Sequence, residues 1–191
     1  GIHPADEAFL QRAREVTTAK GALLIADEVQ SAIRTGVPFV MPEAGVTPDI
    51  IATAKAVANG FPIGVTLVTE EISAAMPGGA HGSTFGGNPL ACRVGTETLR
   101  VLADEGLYEN AKVRGDAIKA GVEAIGSSKV RAVRGSGMML GIELKARATP
   151  TLKALQERGV LALMAGNLVI RLLPPMVYGQ EQVDDLLNVI E

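Results

Sequence analysis

Asp27 and Lys55 are the residues whose types and settings suit chemistry, because each closes a short apolar run. Ala22-Leu23-Leu24-Ile25-Ala26 ends at Asp27, and Asp49-Ile50-Ile51-Ala52-Thr53-Ala54 ends at Lys55, between the Thr47-Pro48 and Gly60-Phe61-Pro62 turn signals. The first run reads as a strand buried on both faces of a mostly parallel sheet, and the β-branched second run as another strand. In open α/β sheets ligands sit outside the carboxyl ends of strands, so an acid and an amine ending neighbouring strands would face one ligand. A lysine amine condenses with a carbonyl, and a buried carboxylate keeps a pyridine nitrogen protonated so that the ring accepts electrons. Pyridoxal phosphate (PLP) needs both. Taken alone the pair leaves a plainer reading open, since an Asp at a strand end also serves as a helix cap or ion-pair partner.

The surrounding wording narrows the choice. Asp27-Glu28-Val29-Gln30, Arg34-Thr35-Gly36, Thr47-Pro48-Asp49, Lys55, Gly60-Phe61-Pro62-Ile63-Gly64 and His81-Gly82-Ser83-Thr84-Phe85-Gly86-Gly87-Asn88-Pro89-Leu90 occur in one order. As a set they resemble the class III (ω-amino) aminotransferases, most closely the acetylornithine aminotransferase branch, which includes enzymes acting on a carrier-protein-linked lysine precursor. The resemblance covers essentially the whole chain, but only the later part of the family's sequence. It implies an α/β fold, the fold-type I PLP-dependent transferase. Residues 1–104 are then the later half of the large, mostly parallel-sheet domain, and 105–191 the small C-terminal α+β domain.

The resemblance also implies roles. Lys55 carries the cofactor, Asp27 pairs with its pyridine nitrogen, Val29 packs on a ring face, and Gln30 hydrogen-bonds the phenolic oxygen. Ser83 and Thr84 reach the cofactor phosphate of the neighbouring subunit, which makes the active site a property of a homodimer. Independently, hydroxyls and glycine amides ahead of a helix suit a phosphate; the plainer alternative is that Ser83 or Thr84 caps that helix. Burial and a nearby cationic ring would disfavour the ammonium form of Lys55. Arg171, set in the apolar run Ile170-Arg171-Leu172-Leu173 before two prolines, needs a partner. In the family its equivalent faces the active site, pairing with an upstream glutamate or a substrate carboxylate; a salt bridge within the small lobe is the alternative. After Gln30 the chain departs from the family, with Ser31-Ala32-Ile33 before Arg34 where one more residue is usual.

The elements that must position these groups follow from periodicity. Phe9, Leu10, Ala13 and Val16 recur at roughly helical spacing after the cap candidate Asp6, and Gly21 closes that helix. Helices are expected over Asn88–Leu102, Leu107–Ile125 and Thr149–Arg158, and strands over Met138–Leu144, Leu161–Met164 and Leu168–Leu173. Cys92 and the Met138-Met139 pair read as core filler, and His3 as structural. Glu28 reads as a helix-dipole or surface charge, with a supporting role at the site left open.

Composition fits a soluble, well-cored chain: 191 residues, 47% hydrophobic and 20% charged. A net charge of −3 argues against a general nucleic-acid or acidic-membrane binder. One cysteine and two histidines make an intrachain disulfide impossible and a structural zinc site implausible. A reducing cytoplasm is the expected location, with no membrane span.

The expected activity is transfer of a terminal amino group from an acetylornithine-like or carrier-linked lysine donor to 2-oxoglutarate, in arginine or lysine biosynthesis. The Val160-Leu161-Ala162-Leu163 wording leans toward the lysine pathway. The other phosphate-binding turn, the ring-stacking aromatic and the carboxylate-binding arginine of the family all lie before the position of Gly1. The chain is therefore expected to be a fragment, inactive alone. Rival readings are a glutamate-semialdehyde-type aminomutase, another ω-aminotransferase, and a catalytically silent dimerisation fragment.

Overall fold

A computed structural model describes all of residues 1–191. The chain forms two compact units, Ala5–Ile33 with Val37–Glu105, and Gly1–Pro4 with Arg34–Gly36 and Gly106–Glu191. Each is taken in turn.

The first unit opens with helix α1, Glu7–Ala19, where Asp6 accepts the Phe9 amide at 2.6 Å as the N-cap. Strands β1 (Ile25–Asp27), β2 (Ile50–Thr53) and β3 (Val65–Val68) form a sheet in that order, with the short helix α2 (Val40–Glu43) between the first two. The β1–β2 pairing is parallel and the β2–β3 pairing antiparallel. Ala26, Met41, Val46 and Ile51 make the core beneath this sheet, with Leu10, Leu24 and Phe39 packed against it. The expected burial of β1 on both faces is corrected: Ala26 is 5% exposed but Ile25 is 59% exposed. In this chain β1 is an edge strand whose outer face is open. Helix α3, Glu70–Ala75, capped by Thr69, precedes α4, Pro89–Asp104.

The second unit is an α+β arrangement. Helix α5 (Leu107–Ala124) leads to strands β4 (Val130–Ser136) and β5 (Met139–Leu144), then α6 (Thr149–Glu157), β6 (Leu163–Met164), β7 (Val169–Leu172) and α7 (Gln180–Ile190). The sheet order is β4-β5-β7-β6, antiparallel throughout. Its largest fully buried side chains are Ile118, Met138, Leu140, Ile170, Val122 and Val183, each worth about 1.5–3 kcal/mol of burial. Met138 is thus core, as its composition suggested. Arg34 belongs to this unit, and its half-buried guanidinium donates to the carbonyls of Leu173 and Pro174. No helix of the chain is long and apolar enough to cross a membrane.

Candidate active site

Parallel pairing of β1 with β2 brings the two expected reactive groups to one edge. Asp27 stands in register with Ala52, and the Glu28 amide donates to the Ala52 carbonyl at 2.8 Å, the last rung of the ladder. Beyond it β2 ends at Thr53, and Lys55 begins a 3-10 turn, Lys55–Ala58, with φ +50°. A non-glycine residue in the left-handed region is uncommon and is held by its surroundings. Here the turn is anchored by buried Val57 and Ala58. A Cβ on Gly95 of α4 would lie 3.8 Å from the Val57 carbonyl oxygen, so the turn and that helix pack closely. Asp27 and Lys55 both leave the carboxyl ends of adjacent parallel strands.

Both side chains are exposed, so the expected burial of Lys55 is not found in this chain. Asp27 Oδ1 accepts the Val29 amide at 3.1 Å, a local turn that orients the carboxylate. Val29 is half-buried and Gln30 exposed on the loop that follows.

Ser83 and Thr84 lie in an exposed turn before α4. Neither caps that helix: Asn88 Oδ1 accepts the Ala91 amide at 2.9 Å, and its Nδ2 donates to the Phe85 carbonyl at 2.8 Å. The capping alternative for the two hydroxyls is therefore excluded, and they are presented to the outside. Cys92, expected in the core, is exposed on α4. Arg171 is half-buried in the middle of β7, in register with Gly141 and Leu163, within the second unit.

Sequence reasoning underrated Glu28, which is 3% exposed. The signal was present: strand alternation from buried Ala26 turns residue 28 to the same inward face. Thr53, also buried, follows the same logic from Ile51 and has an Oγ1 without a hydrogen-bond partner.

The arrangement suits a ligand carrying a basic ring nitrogen at one end and a carbonyl near the other. Asp27 and Lys55 follow the carboxyl ends of adjacent strands, and Ser83 and Thr84 lie exposed in a separate glycine-containing turn.

The chain is similar to known proteins over its whole length. The chain is 44% identical over 193 residues to a [LysW]-aminoadipate semialdehyde transaminase of Deinococcus radiodurans, covering 100% of this chain and 45% of that protein. The acetylornithine aminotransferase of Elizabethkingia anophelis superposes with a TM-score of 0.92 at 36% identity, over 100% of this chain and 52% of the other. An ornithine aminotransferase of Toxoplasma gondii, described with partial occupancy of PLP at its active site, gives a TM-score of 0.91 at 32% identity over 98% and 46%. The chain spans about half the length of the curated relatives it matches. The family model for aminotransferase class-III matches residues 1–191 throughout, and the chain belongs to that family.

Proposed function

We propose that this chain is the cofactor-binding and C-terminal part of a PLP-dependent aminotransferase. The reaction moves a terminal amino group from an acetylornithine-like or carrier-linked lysine donor to 2-oxoglutarate, in arginine or lysine biosynthesis. The observation that carries the reading is the register of Asp27 with Ala52, which sets an acid and Lys55 at the ends of neighbouring parallel strands.

PLP, when bound, supplies an aldehyde that condenses with amines and a ring that withdraws electrons. The residues present fit it. Lys55 Nζ would hold the carbonyl end and, as a free amine, would take the proton from the donor's amine-bearing carbon. Asp27 keeps the ring nitrogen protonated, Val29 packs on the ring, and Gln30 donates to the phenolic oxygen. Ser83 and Thr84 bind the phosphate held by a second copy of the chain in a homodimer, consistent with their outward presentation. Arg171 is a fork of donors for a substrate carboxylate. Residues 1–104 correspond to the later half of a large domain and 105–191 to a small one. The single, free cysteine fits a cytoplasmic enzyme.

The test is covalent. Protein incubated with PLP and reduced with borohydride is expected to carry the phosphopyridoxyl group on Lys55. A folded, PLP-saturated sample without label at Lys55 overturns the assignment.

A further inference from the structure

Glu28 follows Asp27 directly, yet its side chain points the opposite way, into the unit. Its Oε2 accepts the Val40 amide at 2.7 Å and the Ser31 hydroxyl at 3.3 Å, while Oε1 accepts the Met41 amide at 3.0 Å. Val40 and Met41 open α2, whose own N-cap residue, Phe39, offers no side-chain acceptor. A carboxylate 12 and 13 residues upstream does that capping instead. The backbone of Glu28 is pinned too: its amide donates to Ala52 at 2.8 Å, and its carbonyl accepts the Ala32 amide at 3.1 Å. The next residue is Val29, whose amide donates to Asp27 Oδ1.

These bonds form one chain of support. Asp27's carboxylate is oriented by an amide of the loop, and the loop is tied down through Glu28. A residue such as Asp or Asn at position 39 would cap α2 locally, without burying an acid far from it in sequence. Burying a carboxylate is costly unless hydrogen bonds replace its lost hydration, and here two backbone amides and a hydroxyl do so.

We propose that Glu28 is a positioning residue. By tying the loop after β1 to the first amides of α2, it fixes the Val29 amide and, through it, the angle at which Asp27 meets the cofactor's ring nitrogen. The inference deepens the PLP reading above and rests on it. Glu28 itself touches neither cofactor nor substrate; it acts from the far face of the strand.

The test uses Glu28→Gln in the intact holoenzyme. Glutamine keeps the volume but turns one of two acceptors into a donor that opposes a backbone N–H. The expected result is a fall in kcat of about tenfold to a hundredfold with KM for the donor nearly unchanged, since the loss is one of orientation. The pH at which the bound cofactor's absorbance changes shifts, because Asp27 sets the charge on the ring. Without cofactor, the Val29 amide exchanges its hydrogen faster, together with those of Val40 and Met41. When Asp27→Asn is already present, Glu28→Gln has little further effect on kcat, as for residues that act as a unit.

Faster exchange at Val40 and Met41 with Val29 exchange, the absorbance titration and kcat all unchanged would make Glu28 a helix cap only, and overturns the proposal. Should Glu28→Gln fail to fold, Ser31→Ala removes one donor to the same carboxylate and is read the same way: faster Val29 exchange supports the proposal, and unchanged exchange overturns it. Asp27→Asn alone separates the two levels. Normal PLP binding and turnover in that variant sinks the cofactor reading, whereas a crippled Asp27→Asn beside a normal Glu28→Gln sinks only the role of Glu28.

Discussion

Asp27 of β1 stands in parallel register with Ala52 of β2, three positions before Lys55, where the backbone turns through φ +50°. The acid and the amine come from segments far apart in sequence, and hydrogen-bonded strand pairing alone brings them to one edge. Loop conformation sets only the final placement.

Lys55 is the amine on which the proposed chemistry turns. Replacing it with Ala in the intact enzyme is expected to lower kcat by about 10³-fold or more, as loss of both the covalent anchor and the proton carrier. Steady-state assays with PLP in excess provide the measurement. Turnover within about tenfold of the parent would place the essential amine elsewhere.

Asp27→Asn keeps the size of the side chain and an acceptor for the Val29 amide, but removes the charge that holds a proton on the ring nitrogen. The expected loss is about 10²-fold or more in kcat, with weaker PLP retention on dialysis. A variant that keeps full turnover and cofactor would leave Asp27 as a turn-forming residue only.

Acid should weaken both units, through different carboxylates. In the first, the Leu24 amide, 2.6 Å from Asp49 Oδ2, is the main cause holding that carboxyl below the ordinary range, and Arg14 at 2.9 Å adds to it. In the second, hydrogen bonding from Arg134, 2.5 Å from Glu143 Oε2, does the same for Glu143, with Arg131 contributing. A folded-state pKa below the unfolded one means that the unfolded chain binds more protons in acid. The stabilisation is therefore complete above the unfolded carboxyl range, about pH 4, and is lost as pH falls through the lower folded values. Denaturant midpoints followed from about pH 6 to about pH 2 should fall along this limb. Asp49→Asn and Glu143→Gln should each flatten it, and unchanged slopes would count against these pairs.

Much of this was legible beforehand, for identifiable reasons. Local signals marked the helices well: Asp6 before α1 and the Asn88-Pro89 start of α4 both sit where capping chemistry requires. The reach of β1 was misjudged because an unbroken apolar run cannot say which face is covered, and Leu23 and Ile25 are 55% and 59% exposed. Strand β3, Val65–Val68, follows the Gly60-Phe61-Pro62 turn signal but is too short a run to declare itself, and its antiparallel pairing with β2 is a non-local outcome. Cys92 was placed inside on residue type, whereas the turn of α4 it occupies is open. The membership of Arg34–Gly36 in the unit built mainly from residues 106–191 is a contact far along the chain that no window of local sequence reports.

That short segment also explains a strict demand for glycine. In the second unit the Met138 amide donates to the Arg34 carbonyl at 2.8 Å, and the Ser136 hydroxyl donates to the Thr35 carbonyl at 3.2 Å. Gly137 between them has φ +51°, and a Cβ there would lie 2.5 Å from the Thr35 carbonyl carbon and 2.6 Å from its oxygen. On the other side, a Cβ on Gly115 of α5 would lie 2.1 Å from the Gly137 oxygen. In all these contacts the obstacle is backbone, which cannot swing aside as a side-chain tip does. Gly115→Ala and Gly137→Ala are each expected to destabilise the unit by about 1–3 kcal/mol, measured by thermal or denaturant unfolding. Gly78→Ala, where nothing lies within 4 Å of the added Cβ, serves as the control and should change stability by less than about 0.5 kcal/mol. If Gly115→Ala matched that control, the close approach of α5 to the Gly137 turn would not exist in solution.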